Sequence, residues 1–306
     1  MIKYFKHKIR RLIFKSLVVL LPKHRHTEDD NVGITTLLHH DAVDMFLYSL
    51  SSLFYFLGRN LSIFAVEDGS ITTRDKKKIS RYFNITFLDK SSADRKIKKI
   101  TSKYTNFLKY RLADTSDVTK RKFDAILLSP FHKFLYIEPD ILFFRRPEEI
   151  IKWFNENSDK FLYLKHDRKL LDSNNREDLD YSYRQLLNEE KFRMTDVNFN
   201  SGLLGISTAN KINLNMLDNV FKYFNRNGYA KTHCSEETAL SIVFKDVRNK
   251  KLSGLQYICP TRIDEYLSGL TVQTKMIHYI YETKTFFERD AIKLMLKYNC
   301  FIQHNC

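Results

Sequence analysis

Phe134-Leu135-Tyr136-Ile137-Glu138-Pro139-Asp140-Ile141-Leu142-Phe143-Phe144-Arg145-Arg146-Pro147 is the stretch whose reading decides the fold. Residues 134–137 read as a strand, Glu138-Pro139-Asp140 as an acidic turn, and 141–144 as a second apolar run. Pro147 fits the first turn of a following helix. Two carboxylates at a buried strand end cost desolvation energy unless something positive meets them. A divalent cation is the natural partner. Mg²⁺ and Mn²⁺ prefer oxygen ligands and commonly share one or two carboxylates with substrate phosphates.

Outward from this stretch, strand and helix patterns alternate. Residues 34–38 read as a strand and 41–56 as an amphipathic helix. Residues 61–66 read as a strand that ends in Glu67-Asp68-Gly69-Ser70, a second acidic turn. A helix starts near Thr72 and a short strand covers 85–88. Helical periodicity runs through 91–112 and through 116–129, with Ser116 as N-cap. Residues 161–164 and 203–206 read as further strands, and the highly charged 167–195 as a surface excursion over the sheet. This alternation predicts an α/β layered domain with a mainly parallel sheet. In such sheets ligands bind beyond the carboxyl ends of the strands, where both acidic turns fall.

Composition sets the outer limits. The chain has 306 residues, 43% of them hydrophobic, with 24 Phe and 17 Tyr, which is ample for a core and excludes general disorder. Only 8 Gly and 5 Pro exclude a collagen-like or linker-like chain. Four cysteines, at 234, 259, 300 and 306, show neither zinc spacing nor a disulfide framework. They fit a reducing compartment, and the expected location is cytoplasmic.

The net charge of +15 is concentrated in two patches. Residues 1–26 carry eight Lys or Arg and no acid, and residues 71–111 carry thirteen against Asp75, Asp89 and Asp94. Such patches meet anionic partners, and the plainer reading is an AT-rich genome that inflates Lys, Asn and Ile. On a helical wheel Met1, Ile2, Phe5, Ile9, Leu12, Ile13, Leu17 and Leu20 share one face, with Lys3, Lys8, Arg10, Arg11 and Lys15 opposite. That is the layout of a helix lying on an anionic membrane surface through residues 1–21, peripheral on the inner face. The alternative is a helix docked on its own core. The apolar run 17–21 falls far short of the ~20 residues that span a bilayer. The expected organisation is a basic helix at 1–26, a linker at 27–33 and one domain at 34–306.

The decisive stretch resembles the "YLDSDVLFFRRP" segment of nucleotide-sugar glycosyltransferases of the GT-A fold. Four other segments follow that family's order. Val66-Glu67-Asp68-Gly69-Ser70 resembles its "DDGS" turn, Asn198-Phe199-Asn200-Ser201-Gly202 its "FNSG" segment, Ser235-Glu236-Glu237-Thr238-Ala239-Leu240 its "EQTAL" helix start, and His278-Tyr279 its late "HY" pair. Together they cover roughly residues 34–280. The resemblance implies a GT-A-like α/β/α sandwich with a mainly parallel central sheet.

It also implies roles. Asp140 would bind Mn²⁺ or Mg²⁺, Glu138 would meet the metal or the ribose, and His278 would complete the metal site. The ion would stabilise the departing nucleoside diphosphate. Asp68 with Gly69 would lie at the nucleobase, a uracil imide N–H suiting the carboxylate, so a UDP-sugar is the favoured donor. Asn200, Ser201 and Gly202 would line the sugar and acceptor side. Glu236 would deprotonate the acceptor hydroxyl. Lys122, with Arg121, would meet the diphosphate. Each residue has a plainer reading as well: a helix cap for Asp68, a strand start for Gly202, first-turn electrostatics for Glu236, a core histidine for His278 and a solvated charge for Lys122. One departure stands out. The family's Asp-x-Asp is Glu138-Pro139-Asp140 here, one methylene longer and with φ fixed by Pro139.

The leading function is therefore transfer of a sugar from a nucleoside-diphosphate sugar to a hydroxyl of a glycan, a lipid-linked precursor or a protein. A catalytically degenerate sugar-nucleotide-binding protein is the second reading. A third is a nucleic-acid-binding protein that uses residues 71–111 with Tyr82, Phe83, Tyr104, Phe107 and Tyr110 as stacking groups. No recognised nucleic-acid motif accompanies it, and no nucleic-acid partner is expected.

Overall fold

The acidic turn is where the chain leaves one sheet and enters another. The computed structural model describes residues 2–25, 31–113, 117–156, 159–166, 176–232 and 234–298. Its strands are β1 (Val32–Leu38), β2 (Ser62–Glu67), β3 (Ile85–Leu88), β4 (Lys133–Ile137), β5 (Ile141–Phe143), β6 (Phe161–Lys165), β7 (Phe199–Ser207), β8 (Asn249–Lys251), β9 (Tyr257–Ile258) and β10 (Met276–His278). The central sheet has the order β3-β2-β1-β4-β7-β6-β8. It is parallel except at β7, which runs antiparallel to β4 and β6. The small second sheet has the order β5-β10-β9. Glu138-Pro139-Asp140 is the link from β4 to β5.

The helices are α1 (Ile2–Leu17), α2 (Val43–Leu57), α3 (Thr73–Ile79), α4 (Lys90–Thr101), α5 (Thr105–Ala113), α6 (Lys122–Leu127), α7 (Glu148–Asn155), α8 (Arg176–Glu190), α9 (Leu214–Asn227), α10 (Ser235–Val243), α11 (Ile263–Gly269) and α12 (Lys284–Lys297). Strand periodicity separates two cores. Leu135, Ile137, Leu162, Leu164 and Leu203 face a layer built with α2 and α12. Phe134, Tyr136, Phe161, Tyr163 and Leu204 face the opposite layer with α5, α9 and α10. With apolar residues facing both ways from the central strands and helices on both faces, the sheet is the middle of an α/β/α sandwich.

Several boundaries differ from those read in the sequence. The helical stretch 91–112 is two helices, broken after Thr101, where Tyr104 N–H donates to the Thr101 carbonyl. Ser116 lies outside the described residues, and Asp117 caps the short turn before α6 by accepting from Thr119 N–H at 3.1 Å. Val32 and Gly33, placed in the linker, already belong to β1. The surface excursion at 167–195 is corrected from 176 onward. There α8 sends Tyr183, Arg184 and Leu187 into the interior, because Arg184 finds a buried carboxylate partner in Glu237. Tyr82, Phe83, Phe107 and Tyr110 are core residues, so they are closed to base stacking.

Helix α1 is docked on the core by one stripe. Phe14, Val18 and Leu21 are buried against the core, with Phe14 stacked on Tyr48 at 4.5 Å and its carbonyl accepting from the Tyr48 hydroxyl. Of the apolar face read from the sequence, Leu17 packs at the edge of this core, and Met1, Ile2 and Phe5 lie outside the described side chains. Ile9, Leu12, Ile13 and Leu20 are exposed, beside exposed Arg11 and Lys15.

Candidate active site

The register of the second sheet builds the site. Antiparallel pairing sets His278 opposite Ile141, and Tyr279 N–H donates to the Asp140 carbonyl at 2.9 Å. His278 is thereby brought beside the acidic turn from 138 residues further along the chain. Gly202 makes room for it, since a Cβ there would sit 2.2 Å from His278 Cε1. Glu138 N–H donates to the Gly202 carbonyl at 2.8 Å and ties the turn to β7.

Three donor atoms converge. His278 Nε2 lies 3.0 Å from Glu138 Oε2 and 3.2 Å from Asp140 Oδ1. His278 Nε2 and Asp140 Oδ1, both buried, make only these charge contacts and no well-aligned hydrogen bond. Buried polar atoms without a well-aligned hydrogen bond call for an explanation. A divalent cation among one nitrogen and two carboxylate oxygens supplies it, and the three ligand atoms lie within 4.8 Å of one another.

The surrounding groups set the histidine. Asn200 Oδ1 accepts from Gly202 N–H at 3.0 Å, which fixes the amide's orientation, and the same oxygen lies 3.0 Å from His278 Nδ1. Nδ1 therefore carries the proton in neutral His278, and Nε2 presents its lone pair to the carboxylates. Asn200 Nδ2 donates to His166 Nε2 at 3.0 Å and to Glu237 Oε2 at 3.3 Å. Cys259 Sγ lies 3.5 Å from His166 Nδ1 and 3.4 Å from His278 Nδ1.

Two lysines answer the acids. Lys122 Nζ stands 2.9 Å from Glu138, 3.3 Å from Glu236 and 2.6 Å from Ser201 Oγ. Lys284 Nζ stands 2.9 Å from Asp140 Oδ2. Burial pushes the Glu138 carboxyl up, but the Lys122 charge and His278 outweigh it and bring it to about 2. Asp140 is likewise raised by burial and held well below its usual range by Lys284 and then His278. Burial lowers His278, yet Cys259 and Asp140 leave it well above its usual value. Burial raises Glu236, partly opposed by Lys122. Its neighbour Glu237 goes the other way: Arg184, then His166, overcome the same burial and hold it well below the usual range. Adjacent acids pushed apart in this way mark different duties.

These groups surround a cavity of about 380 Å³ at the carboxyl ends of β1 and β4. Its lining includes Lys122, Glu138, Asp140, Asn200, Glu236 and His278 from the sequence reading. Ser201 and Gly202 do not line it, which corrects that part of the reading. Ser201 is fully buried between Lys122 and Glu237, and Gly202 lies under the His278 ring, because β7 is covered on both faces. Asn200 reaches the cavity, but its amide is engaged by the histidines and Glu237. Asp68 and Gly69 lie outside the lining. Asp68 accepts from Ser70 N–H at 2.8 Å as an ordinary turn, and its own N–H donates to the Leu38 carbonyl, between lining residues Leu37 and His39. The solvated reading of Arg121 and Lys122 is overturned, as both are buried.

Sequence reasoning missed His166, Glu237, Arg184, Cys259 and Lys284. Glu237 carried the one available signal: it sits in the same motif as Glu236. The others are lone residues on distant elements that only the sheet register assembles.

A mainly parallel sheet whose β4 ends in an acidic turn, crossing there into a small second sheet, is the fold of the GT-A glycosyltransferases. Among solved structures the chain is similar to the galactosyltransferase LgtC in complex with donor and acceptor sugar analogues. The TM-score is 0.52 at 11% identity, over 87% of this chain and 95% of that one. An active-site mutant of LgtC gives 0.53 at 10% identity over the same shares. The apo WbbM bifunctional glycosyltransferase gives 0.51 at 12% identity, over 89% of this chain and 51% of that one. No protein-family model and no curated protein sequence matches the chain.

Proposed function

We propose that this protein is a glycosyltransferase that moves a sugar from a nucleoside-diphosphate sugar to an acceptor hydroxyl. One observation carries the reading: Glu138, Asp140 and His278 converge, each offering one ligand atom, on a cavity at the sheet's carboxyl edge in this fold. Glu138 Oε2, Asp140 Oδ1 and His278 Nε2 would hold Mn²⁺ or Mg²⁺. When bound, the ion supplies Lewis-acid stabilisation of the leaving diphosphate.

The chain's own residues supply the rest. Lys284 and Lys122 place positive charge on either side of the acids, where they attract and hold the donor's phosphates. Asn200 and Cys259 keep the His278 ring in place. The nucleoside end is assigned to the side of Leu37 and His39, toward the Asp68-Gly69 turn, with a UDP-sugar as the favoured donor. Glu236 is assigned as the base that takes the acceptor's hydroxyl proton. It lines the cavity, and burial raises it toward the working range of a base. Glu237, tied to Arg184 and Ser201 N–H, is structural.

Among the described residues no helix is long and apolar enough to cross a membrane. The exposed apolar stripe of α1 beside Arg11 and Lys15 supports peripheral contact with an anionic membrane. The free Cys234 and Cys259 accord with the cytoplasmic face.

The test is release of free nucleoside diphosphate from a panel of sugar nucleotides, with Mn²⁺ and with EDTA. Slow, metal-dependent hydrolysis of one donor is expected. Binding of a donor without any turnover, even when acceptors are supplied, favours the degenerate binding protein. No binding of any donor overturns the reading.

A further inference from the structure

Two residues of the cavity wall hold a backbone conformation that suits glycine. Among the described residues, Cys234 at φ +64° and Tyr281 at φ +48° are the non-glycine residues in the left-handed region, and both line the cavity. For a bulky side chain such a φ is a genuine outlier. It persists where the surroundings over-determine it, and such residues cluster at ligand sites.

Tyr281 is held from both sides. Before it, Tyr279 N–H donates to the Asp140 carbonyl at 2.9 Å, and the Tyr279 hydroxyl donates to Asp290 at 2.8 Å. After it, Thr283 N–H donates to the Ile280 carbonyl at 3.0 Å, and the buried Thr283 hydroxyl lies 3.2 Å from the Pro260 carbonyl. Glycine at 281 would meet the same bonds without strain. What tyrosine adds is its ring, and at 38% exposure that ring contributes little to the core.

The ring stands at the entrance. Of the residues that line the cavity, Tyr281 and Lys284 are the exposed ones, and the others are buried or half-buried. Lys284 Nζ is 2.9 Å from Asp140 Oδ2, so the entrance opens beside the cation donors. The donor's diphosphate belongs on those groups, and Glu236 lies deeper, only 6% exposed. The acceptor is then the substrate that crosses the rim. A tyrosine ring offers it a flat apolar face and a polar tip. A pyranose matches both, with a face of C–H groups edged by hydroxyls. A serine or threonine hydroxyl on an extended peptide has no ring to stack.

We propose that Tyr281 is a specificity-determining residue whose ring stacks on a pyranose of the acceptor, so that the accepting hydroxyl belongs to a sugar rather than to a protein side chain. This rests on the glycosyl-transfer reading and narrows its acceptor.

The experiment is saturation-transfer NMR of the full chain, with Mg²⁺ and UDP present. The titrants are the methyl pyranosides of glucose, galactose, mannose and N-acetylglucosamine. The wild type is expected to bind at least one, with the protons of one ring face most strongly saturated. Tyr281→Gly should bind it about tenfold more weakly. The same variant should melt near the wild-type temperature, because relief at φ +48° offsets the looser unfolded chain. Tyr281→Phe keeps the ring and should keep the binding. Wild-type affinity in Tyr281→Gly overturns the proposal, as does a wild type that binds no pyranoside. A loss shared equally by Tyr281→Phe overturns the stacking, and weaker binding with a lower melting temperature assigns the ring to packing. An equal loss of UDP affinity places the ring at the donor and also overturns it. If Tyr281-dependent pyranoside binding is found while no donor is hydrolysed, the glycosyl-transfer reading fails and the sugar contact stands.

Discussion

Replacing Gly202 with Ala tests the cation site at its tightest point. A Cβ there would sit 2.2 Å from His278 Cε1, 2.6 Å from Nδ1 and 2.8 Å from Nε2, where ordinary contact begins at 3.4 Å. The ring must withdraw by about 1.2 Å, or β7 must shift. Neither is easy. Asn200 holds Nδ1 at 3.0 Å, Cys259 lies 3.4 Å away, and β10 is paired on both sides. Overpacking of this kind costs about 1–3 kcal/mol. In a chain of this size that lowers Tm by roughly 2–4 °C per kcal/mol. The functional loss is larger, because Nε2 leaves its place between Glu138 and Asp140, and a displacement near 1 Å can cost about 100-fold in rate. Gly202→Ala should therefore fold, melt a few degrees lower, lose about 100-fold of its Mn²⁺-stimulated diphosphate release, and need more Mn²⁺ to reach half-saturation. Initial rates across a Mn²⁺ titration, paired with thermal melts, measure both effects. Gly228→Ala is the control: its φ of +78° makes Ala strained, but nothing lies within 4 Å, so stability alone should fall. A Gly202→Ala protein with wild-type rate and Mn²⁺ dependence would remove His278 from the ion's donor set.

Asp140→Asn should abolish Mn²⁺-dependent donor binding measured by titration calorimetry; unchanged affinity would take Asp140 out of the site. Glu236→Gln should cut turnover by about 10²–10⁴-fold with little change in Tm. Because burial raises Glu236, the acid limb of the wild-type pH–rate profile should lie above the ordinary carboxylate value, with activity lost as pH falls through it. Glu237→Gln should instead destabilise by about 3–5 kcal/mol, since it leaves Arg184 buried without its counter-charge; equal effects of the two substitutions would defeat the division of roles. Leu12→Glu/Ile13→Glu should weaken sedimentation with anionic vesicles and leave donor hydrolysis intact, and retained sedimentation would confine α1 to a packing role.

What the sequence made legible follows from how local each signal is. Strands 85–88 and 134–137 stand out because apolar runs bounded by turns identify themselves within a few residues. The Glu138/Asp140 pair was legible for the same reason. The site's remaining parts were not. His166, Arg184 and Cys259 meet only because β6, α8 and the segment after β9 converge beside β7, a register that no local pattern encodes. Ser201 and Gly202 were assigned to the sugar side because their motif is polar. They lie behind the wall because a strand buried on both faces hides even its polar residues. For α1 the wheel found the larger apolar stripe, and the structure buries the smaller one. Phe14, Val18 and Leu21 win the interior because the core offers Tyr48 and Phe287 to meet them.

The departure from Asp-x-Asp is where a degenerate relative would differ from an active enzyme, and the geometry argues for use. Glu138 spans two partners at once, Lys122 through Oε1 at 2.9 Å and His278 through Oε2 at 3.0 Å. An aspartate is one methylene, about 1.5 Å, shorter, and Pro139 prevents the turn from moving to compensate. Shortening the acid would drop one of the two partners. Were Lys122 dropped, its charge would fall more fully on Glu236, 3.3 Å away, and lower the basicity that burial confers. Glu138→Asp, although it restores the family's residue, should therefore reduce Mn²⁺-dependent diphosphate release by about tenfold and shift the acid limb of its pH–rate profile to lower pH. A variant as active as the wild type, or more so, would show that Glu138 has drifted from its role rather than been fitted to Lys122 and His278.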